Sequence, residues 1–224
     1  MIPFHRRTLA ASICLAAFTW GCGPANAITV GNVDTFQGGS ADGWYLPEGT
    51  PLPLLVFQSG GPAGSGDGYL QLRASGQSGP GSRLVVFGST DWLGNYIAAG
   101  VRAIEMDAIN QGPDDLQLRM YFNSPAGSAL STVAVTLPAG GSWTHLVFPT
   151  LPAALSGANT AGTLADVREF RLFHNDTPSF PPSAVLGTLG IDNVSAVPEP
   201  ATLLLWAAGA AMLPAVRRRG RRGA

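Results

Sequence analysis

Two aromatic residues in a short polar stretch are the strongest candidates for binding a ligand. Trp92 and Tyr96 lie in DWLGNY, a stretch with the composition of a loop. An aromatic ring beside Asp, Asn or Arg side chains is a common means of holding a sugar, because the ring stacks on the pyranose while the polar groups bind its hydroxyls. We therefore predict that Trp92 and Tyr96 are exposed beside a groove. Trp44, Tyr121 and Trp143 are further candidates, although positions in the core or at a sheet edge suit Trp44 and Trp143 better.

The sequence carries no recognised catalytic motif. Neither HExxH nor GxSxG occurs in it, and these patterns mark zinc proteases and serine hydrolases. His145 and His174 have no marked partners for a metal site or a triad. Glu105 and Asp107 share one face of a predicted strand and could form a glycosidase dyad, but a solvated outer face explains them better. The protein is therefore predicted to be non-enzymatic, with an exported glycan hydrolase as an alternative.

Charge is distributed unevenly along the chain. The full sequence has a formal net charge of −1. Residues 28–197 contain six arginines, no lysine and thirteen acidic residues, which gives this segment a net charge of −7. A nucleic-acid partner is not expected, because such a surface must neutralise phosphates. Both cysteines, Cys14 and Cys22, precede this segment, so no disulfide is expected within it.

The N-terminus has the three parts of a signal peptide. HRRT supplies positive charge, LAASICLAAF supplies a short apolar core, and Ala25 and Ala27 are the small residues of a signal peptidase site. We predict cleavage after Ala27, which makes residues 1–27 a signal peptide removed on export. Lipidation of Cys22 is the alternative.

The C-terminus has an apolar segment followed by a basic one. Residues 201–216 contain no charged residue, and with their flanks they approach the length that spans a bilayer. An arginine block follows, formed by Arg217, Arg218, Arg219, Arg221 and Arg222. Such arginines stay on the cytoplasmic side of a membrane, so the segment predicts a single transmembrane helix with residues 28–196 exported. A buried C-terminal helix of the globular domain is the alternative.

The sequence VPEP precedes the apolar segment and contains Pro198, Glu199 and Pro200. A Pro-Glu-Pro motif, an apolar helix and terminal arginines, in that order, resemble the PEP-CTERM sorting signal of Gram-negative bacteria. The resemblance implies that residues 197–224 are recognised by an exosortase, a protease of the inner membrane, in a host that makes extracellular polysaccharide or biofilm. Removal of the helix and its retention as an anchor both remain open.

Residues 28–196 have the pattern of an all-β domain. Short runs alternate apolar and polar residues between clusters of turn formers, which is typical of antiparallel strands with one face in a core. The predicted strands lie in residues 69–74, 83–87, 101–109, 116–122, 131–137, 143–148, 167–173 and 189–197. One short helical turn is predicted near residues 164–167. These elements predict an antiparallel β-sandwich.

The order of several short motifs resembles a known group of sandwiches. DTFQGGSADGW, GDGYLQL, DWLGNY and IDNV follow one another along the chain, which is similar to jelly-roll domains of the laminin IV and galactose-binding-like type. Carbohydrate-binding modules share that jelly roll. The resemblance covers residues 34–195 and implies a jelly-roll β-sandwich. Sugar binding needs evidence from a site, since one fold hosts many activities.

The same resemblance implies a structural calcium ion where the first and last strands meet. Asp34, Asp67 and Asp192 lie in the stretches expected there, and calcium takes about six to eight oxygen ligands from carboxylates and backbone carbonyls. Solvated carboxylates at turns and strand ends are the alternative. No DxDxDG loop occurs, and Asp192 is out of phase with the apolar Ile191 and Val194.

These patterns together predict an exported cell-surface or matrix protein that is sorted by an exosortase. Its β-sandwich is predicted to bind extracellular polysaccharide without catalysing a reaction. A purely structural or adhesive matrix component without a sugar site is the alternative. The expected location is the cell envelope or the medium.

Overall fold

The computed structural model describes residues 27–77 and 82–198. Within these ranges the strands are β1 (Val33–Asp34), β2 (Leu55–Phe57), β3 (Tyr69–Ser75), β4 (Val85–Phe87), β5 (Ala103–Asn110), β6 (Leu116–Ser124), β7 (Gly127–Ser131), β8 (Val135–Leu137), β9 (Thr144–Pro149), β10 (Leu155–Ser156), β11 (Glu169–His174) and β12 (Leu186–Val197). The helical elements are α1 (Tyr96–Ala99), α2 (Thr160–Ala165) and 3-10 turns at Thr90–Trp92 and Pro152–Ala154. The predicted all-β class is confirmed.

The strands form two antiparallel sheets. The first has the order β2-β3-β12-β5-β9, and β1 also pairs with β12. The second has the order β10-β7-β6-β11-β4, and β8 also pairs with β6. Neighbours such as β3 and β12 are distant in sequence, so each sheet is assembled from both halves of the chain. This is the antiparallel sandwich that the alternating pattern predicts.

Alternate side chains of both sheets form one core. The inward residues of β5 and β6 are typical, and all are buried: Ile104, Met106, Leu118, Met120 and Phe122. Their register partners on neighbouring strands share the same face, so whole rows of side chains turn inward together. The core extends from Ile28 to Ala196. A domain of residues 28–198 therefore contains all of this core.

A β-bulge in β12 explains the phase of Asp192. The pairing of β12 with β5 shifts between Asp192 and Ser195. Asn193 has a φ of 50° there, in the left-handed region that Asn tolerates better than most residues. The extra residue lets Ile191 and Val194 both turn into the core. Asp192 therefore lies on the outer face of the first sheet.

Several details differ from the predicted elements. Residues 131–137 do not form one strand, because β7 ends at Ser131 and β8 starts at Val135. Val133, which the alternation turns inward, is 77% exposed. The predicted turn near residues 164–167 is the last part of a longer helix, α2, and α1 was not predicted.

Both predicted targeting segments fall largely outside the described residues. The signal peptide before Ala27 and the sorting segment after Pro198 belong to this part of the chain. Across residues 27–77 and 82–198, no helix has the length and apolar character needed to cross a membrane.

Candidate functional site

Trp92 and Tyr96, predicted to be exposed, are both fully buried. Trp92 ends a 3-10 turn and Tyr96 begins α1. The Tyr96 hydroxyl donates to the Trp92 carbonyl over 2.8 Å, and its ring meets Phe122 edge-on at a centroid distance of 5.3 Å. The prediction of a sugar-stacking pair is therefore wrong. Burial of two large rings at the end of the sandwich outweighs the polar composition of the loop.

Asp34 holds the indoles of two buried tryptophans. Its Oδ2 accepts hydrogen bonds from Nε1 of Trp44 and Nε1 of Trp92, each over 2.6 Å. The two indoles pack edge to face at 6.1 Å, and both contact Phe170. Burial raises the pKa of Asp34, while the two indole donors act in the opposite direction. This carboxylate therefore satisfies core donors, and Trp44 is the core residue that was expected.

Asp67 and Asp192 have different surroundings. Asp67 accepts hydrogen bonds from Gln37 Nε2 at 2.6 Å and from the backbone N–H of Ala63 at 2.7 Å, so it organises the loop before β3. Asp192 is fully buried, and neither of its carboxylate oxygens has a hydrogen-bond partner among the described residues. Burial raises the pKa of Asp192 to about 7; the nearby backbone N–H of Asn193 acts in the opposite direction, and the carboxylates of Asp67 and Asp107 add to the rise.

The three carboxylates predicted to share a calcium ion do not form one cluster. In the part of the chain that the structure describes, no three His, Cys, Asp or Glu side chains group in a way that could hold a metal ion. The predicted grouping of Asp34 with the other two is therefore wrong.

Carbonyl oxygens do converge around Gly68, beside Asp67, since an added Cβ there would lie 2.9 Å from the Phe36 oxygen and 3.2 Å from the Phe57 oxygen. The orphaned carboxylate of Asp192 fits a cation that draws its remaining ligands mainly from backbone oxygens.

A different set of aromatic residues lies on the outer face of the second sheet. Tyr45 bridges to Phe87 in β4, Phe87 pairs with Arg171 in β11, and Arg171 pairs with Tyr121 in β6. Register partners present their side chains on one face, so these residues form a row. Phe180, between β11 and β12, lies over the row. We call these five residues the arginine–aromatic face.

Arg171 is at the centre of the arginine–aromatic face. Its Cζ lies 4.4 Å from the ring centroid of Phe87, 4.7 Å from that of Phe180 and 5.1 Å from that of Tyr121. All three distances permit cation–π attraction. Nη2 is 2.6 Å from Oε1 of Glu169, while Nε is buried without a hydrogen-bond partner among the described residues. The guanidinium is thus held in place with a donor still unused.

The outer parts of this face are open to solvent. Tyr45 is 52% exposed and Phe180 is 41% exposed. Tyr45 is nevertheless fixed, because it stacks on Phe87 with centroids 4.8 Å apart and planes 19° apart. A preformed ring loses little conformational freedom when it binds a ligand. Exposed rings beside a fixed guanidinium and a carboxylate are groups that hold a sugar.

A cavity of about 350 Å³ adjoins Tyr45 at the edge of the second sheet. Its lining includes Tyr45, Ser89, Thr90, Arg168 and Glu169. Gly43 and Gly88 allow the backbone beside this cavity to pack closely against Ser89 and Phe170. A Cβ on Gly43 would lie 2.8 Å from Cβ of Ser89, and one on Gly88 would overlap the ring of Phe170. The cavity is therefore built by close backbone packing and is continuous with the arginine–aromatic face through Tyr45 and Glu169.

Arg119 anchors the loop that carries Phe180. This side chain is buried on the outer face of β6. Its Nε donates to the Asn175 carbonyl at 2.9 Å, its Nη1 to the carbonyls of Ser131 and Thr132 at 2.9 Å, and its Nη2 to the Asp176 carbonyl at 3.3 Å. Four carbonyls from two loops are thereby satisfied by one guanidinium. The position of the 175–184 loop depends on this contact.

We expect Arg119→Met to destabilise the domain by about 2 to 4 kcal/mol, because the buried carbonyls lose their donor. The 175–184 loop should also exchange its amide hydrogens faster, as measured by mass spectrometry. Arg119→Lys is the matched control, since it keeps the charge and part of the donor set. Unchanged exchange in residues 175–184 of the methionine variant would contradict this role.

The outer face of the first sheet carries the other polar cluster. His145 Nδ1 lies 3.1 Å from Asp107 Oδ1, and His145 Nε2 lies 3.5 Å from Glu105 Oε2. Asn193 Nδ2 donates to the second oxygen of Asp107 at 2.8 Å. The two carboxylates thus interact with neighbouring side chains of one sheet face. This arrangement suits a solvated surface better than the two carboxyl groups of a glycosidase, which flank a bound sugar.

Part of the arginine–aromatic face could be predicted from the sequence. The alternation in residues 167–173 turns Arg171 outward, and the same argument turns Tyr121 outward. Tyr45 and Phe180 lie in no predicted strand. Their approach to Arg171 depends on contacts between segments distant in sequence, which periodicity does not reveal.

No family model and no curated protein sequence matches this chain. Solved structures are similar in fold. An exo-β-agarase structure gives a TM-score of 0.54 at 13% identity, over 76% of this chain and 25% of that chain. A family 11 carbohydrate-binding module from Clostridium thermocellum, in complex with a β-1,3-1,4-mixed-linked tetrasaccharide, gives 0.50 at 13% identity, over 76% of this chain and 97% of that chain.

A second structure of a family 11 module, from a cellulosomal cellulase of the same organism, gives a TM-score of 0.50 at 12% identity, over 77% of this chain and 96% of that chain. This chain spans a quarter of the agarase and nearly all of each module. The described residues therefore have the jelly-roll sandwich fold of carbohydrate-binding modules.

Proposed function

We propose that residues 28–196 bind polysaccharide without catalysing a reaction, with the ligand on the arginine–aromatic face. The observation that carries this proposal is the fixed guanidinium of Arg171, stacked among aromatic rings beside the exposed Tyr45. Sugar sites combine a stacking surface with a few fixed polar groups, and Glu169 adds an acceptor at the same place. The fold supports this class of ligand, since one structure of similar fold holds a mixed-linked tetrasaccharide.

A glycan array probed with residues 28–198 tests this proposal. Tyr45→Ala is expected to weaken binding to any glycan that the wild-type domain retains by at least tenfold, or about 1.4 kcal/mol. Tyr45→Phe, which keeps the ring, is the matched control and should bind like the wild type. The proposal fails if the folded wild-type domain binds no glycan, or if the alanine variant binds as well as the phenylalanine variant.

A purely structural or adhesive role in an extracellular matrix is the second candidate. The burial of Trp92 and Tyr96 favours it, because the sugar-binding prediction required these rings to be exposed. The glycan array separates the two candidates directly. A domain that is folded and stable yet binds no glycan supports the structural role.

We also propose that a cation, with calcium as the expected ion, binds at Asp192 beside the carbonyl cluster around Gly68. A buried carboxylate without hydrogen bonds is unfavourable unless a positive charge compensates it. Asp192 would supply the anionic ligand, and Asp67 would contribute a second carboxylate or hold the loop in place. The expected role is structural, because the ion would join β12 to the loop before β3.

The protein is proposed to be exported and sorted to the cell envelope. Ala25 and Ala27 would direct signal peptidase, and Pro198, Glu199 and Pro200 would be read by an exosortase. The intact mass of protein recovered from envelope and medium fractions of its native host tests this. A mass that starts at Ile28 and ends near Pro200 supports both signals. A full-length C-terminus confined to the membrane fraction contradicts processing.

A further inference from the structure

The row of the arginine–aromatic face crosses most of the second sheet. Tyr45, Phe87, Arg171 and Tyr121 are successive partners, and Leu130 in β7 is the next. Neighbouring strands lie about 4.8 Å apart, so the row extends for roughly 19 Å. An open face of this length would hold several sugar units of one chain side by side.

Phe180 interrupts this row near its middle. Its ring centroid is 4.7 Å from Cζ of Arg171, 5.1 Å from the Tyr121 ring and 6.0 Å from the Phe173 ring. The ring therefore lies above β11 and β6 and closes the face on the side of β7. This placement is fixed, because Asn175 Nδ2 donates to the carbonyls of Ser179 and Pro181 at 2.7 Å and 3.2 Å.

The part of the face that stays open is small. It consists of Tyr45, Phe87 and Glu169 together with the adjoining cavity of about 350 Å³. That volume is at the lower end of the range for small-molecule sites, which begins at roughly 300 Å³. Arg168 and Thr90 line the cavity wall, and Arg168 is held by an ion pair to Asp166 at 2.7 Å. A long chain has no straight path through a cleft closed in this way.

Resting on the proposed function, we propose that this site binds the end of a glycan chain, one or two sugar units, and not an internal segment. Phe180 forms the wall at which the bound chain stops. Tyr45 stacks on the terminal unit, and Glu169 and Arg168 in the cavity wall bind its hydroxyls. The ligand class is therefore neutral oligosaccharides and polysaccharides with accessible ends.

Calorimetric titration of residues 28–198 with glycans of increasing length tests the inference. The probes are di-, tetra- and hexasaccharides and the parent polymer, in the mixed-linked β-glucan and agarose series and in the series of the best array ligand. The disaccharide should bind within about threefold of the hexasaccharide. Cutting the polymer into shorter chains should raise the number of binding sites per gram in proportion to the ends created. Affinity that rises more than tenfold from di- to hexasaccharide overturns the inference.

The wall is tested by Phe180→Ala, with Phe180→Tyr as the matched control. The alanine variant should bind the hexasaccharide at least fivefold more tightly than it binds the disaccharide, whereas the wild type should bind the two within about threefold of each other. The tyrosine variant should keep the wild-type profile. The role of Phe180 as a wall is contradicted if the alanine variant is folded, as judged by its melting temperature, and its affinity depends on glycan length as that of the wild type does.

Absence of Tyr45-dependent binding to every glycan refutes the proposed function itself, whereas wild-type binding that strengthens with glycan length refutes only the chain-end inference.

Discussion

Replacing Asp34 by alanine is expected to lower the free energy of unfolding by about 3 to 5 kcal/mol. The change leaves two buried indole N–H groups, on Trp44 and Trp92, without an acceptor, because both donate to the same carboxylate oxygen. Each hydrogen bond to a charged group contributes about 1.5 to 3 kcal/mol. The melting temperature of residues 28–198 should fall by roughly 10 °C, as measured by circular dichroism or calorimetry.

Asp34→Asn is the control for this prediction. Its amide oxygen can accept from both indoles, so it should retain at least half of the stability that the alanine variant loses. Trp44→Phe removes one of the donors and should reduce the effect of Asp34→Ala when the two changes are combined. Equal stability of the alanine and asparagine variants would show that the carboxylate does not act through the indoles.

Replacing Asp192 by asparagine is expected to raise the melting temperature of the calcium-free domain at pH 8. Burial raises the pKa of Asp192 to about 7 from an ordinary 3.8, so the native state holds this proton more tightly than the unfolded chain does. The contribution of Asp192 to stability therefore decreases as pH rises from about 4 to about 7 and stays low above that range. The asparagine variant lacks this dependence. Melting temperatures in chelator between pH 4 and pH 8 measure the difference.

In the presence of calcium, the wild type should have a higher melting temperature than Asp192→Asn, which is the reverse of the order without calcium. At a calcium concentration 100 times the dissociation constant, the wild type is expected to gain about 2.7 kcal/mol, and Asp192→Asn should gain little. Protons compete with the ion, so the gain should be larger at pH 8 than at pH 5. Asp91→Asn, at an exposed carboxylate, is the matched control and should respond like the wild type. A wild-type domain whose melting temperature calcium does not change would refute the cation proposal.

Much of the sandwich could be predicted from local patterns. β3, β5, β6 and β11 each have apolar residues at alternate positions that face the core, which is the pattern that predicts a strand. The short strands β1, β2 and β10 have two or three residues, which is too few for a period to be recognised. Val133 fits the alternation but falls in a turn between two strands, where periodicity no longer determines burial.

The candidate site was harder to predict than the fold. Trp92 and Tyr96 lie among polar and glycine residues, and their burial results from closure of one end of the sandwich, which is a tertiary event. Arg171 was placed on the correct face by alternation alone. Its significance depends on Tyr45 and Phe180, which approach it from loops far away in the chain. Sequence spacing carries no information on such contacts.

The surroundings of Asp192 and Asp34 could not be predicted from sequence spacing either. Asp192 was recognised as out of phase, and the bulge at Asn193 is the physical reason. Its complete burial is not indicated by the alternation, because its register partner Asp107 lies on the same outer face and is only partly buried. The role of Asp34 as the acceptor for two indoles likewise depends on tryptophans that reach it from separate loops.

The location of a bound glycan on the domain tests the assignment of the binding face most directly. Amide shifts of ¹⁵N-labelled residues 28–198 can be followed by NMR during titration with the best array ligand. We expect shifts in residues 43–45, 87–90 and 168–171, with little change on the outer face of the first sheet. Shifts centred instead on Phe57, Tyr69 and Trp143, the aromatic cluster of that opposite face, would contradict the assignment of the arginine–aromatic face as the binding site.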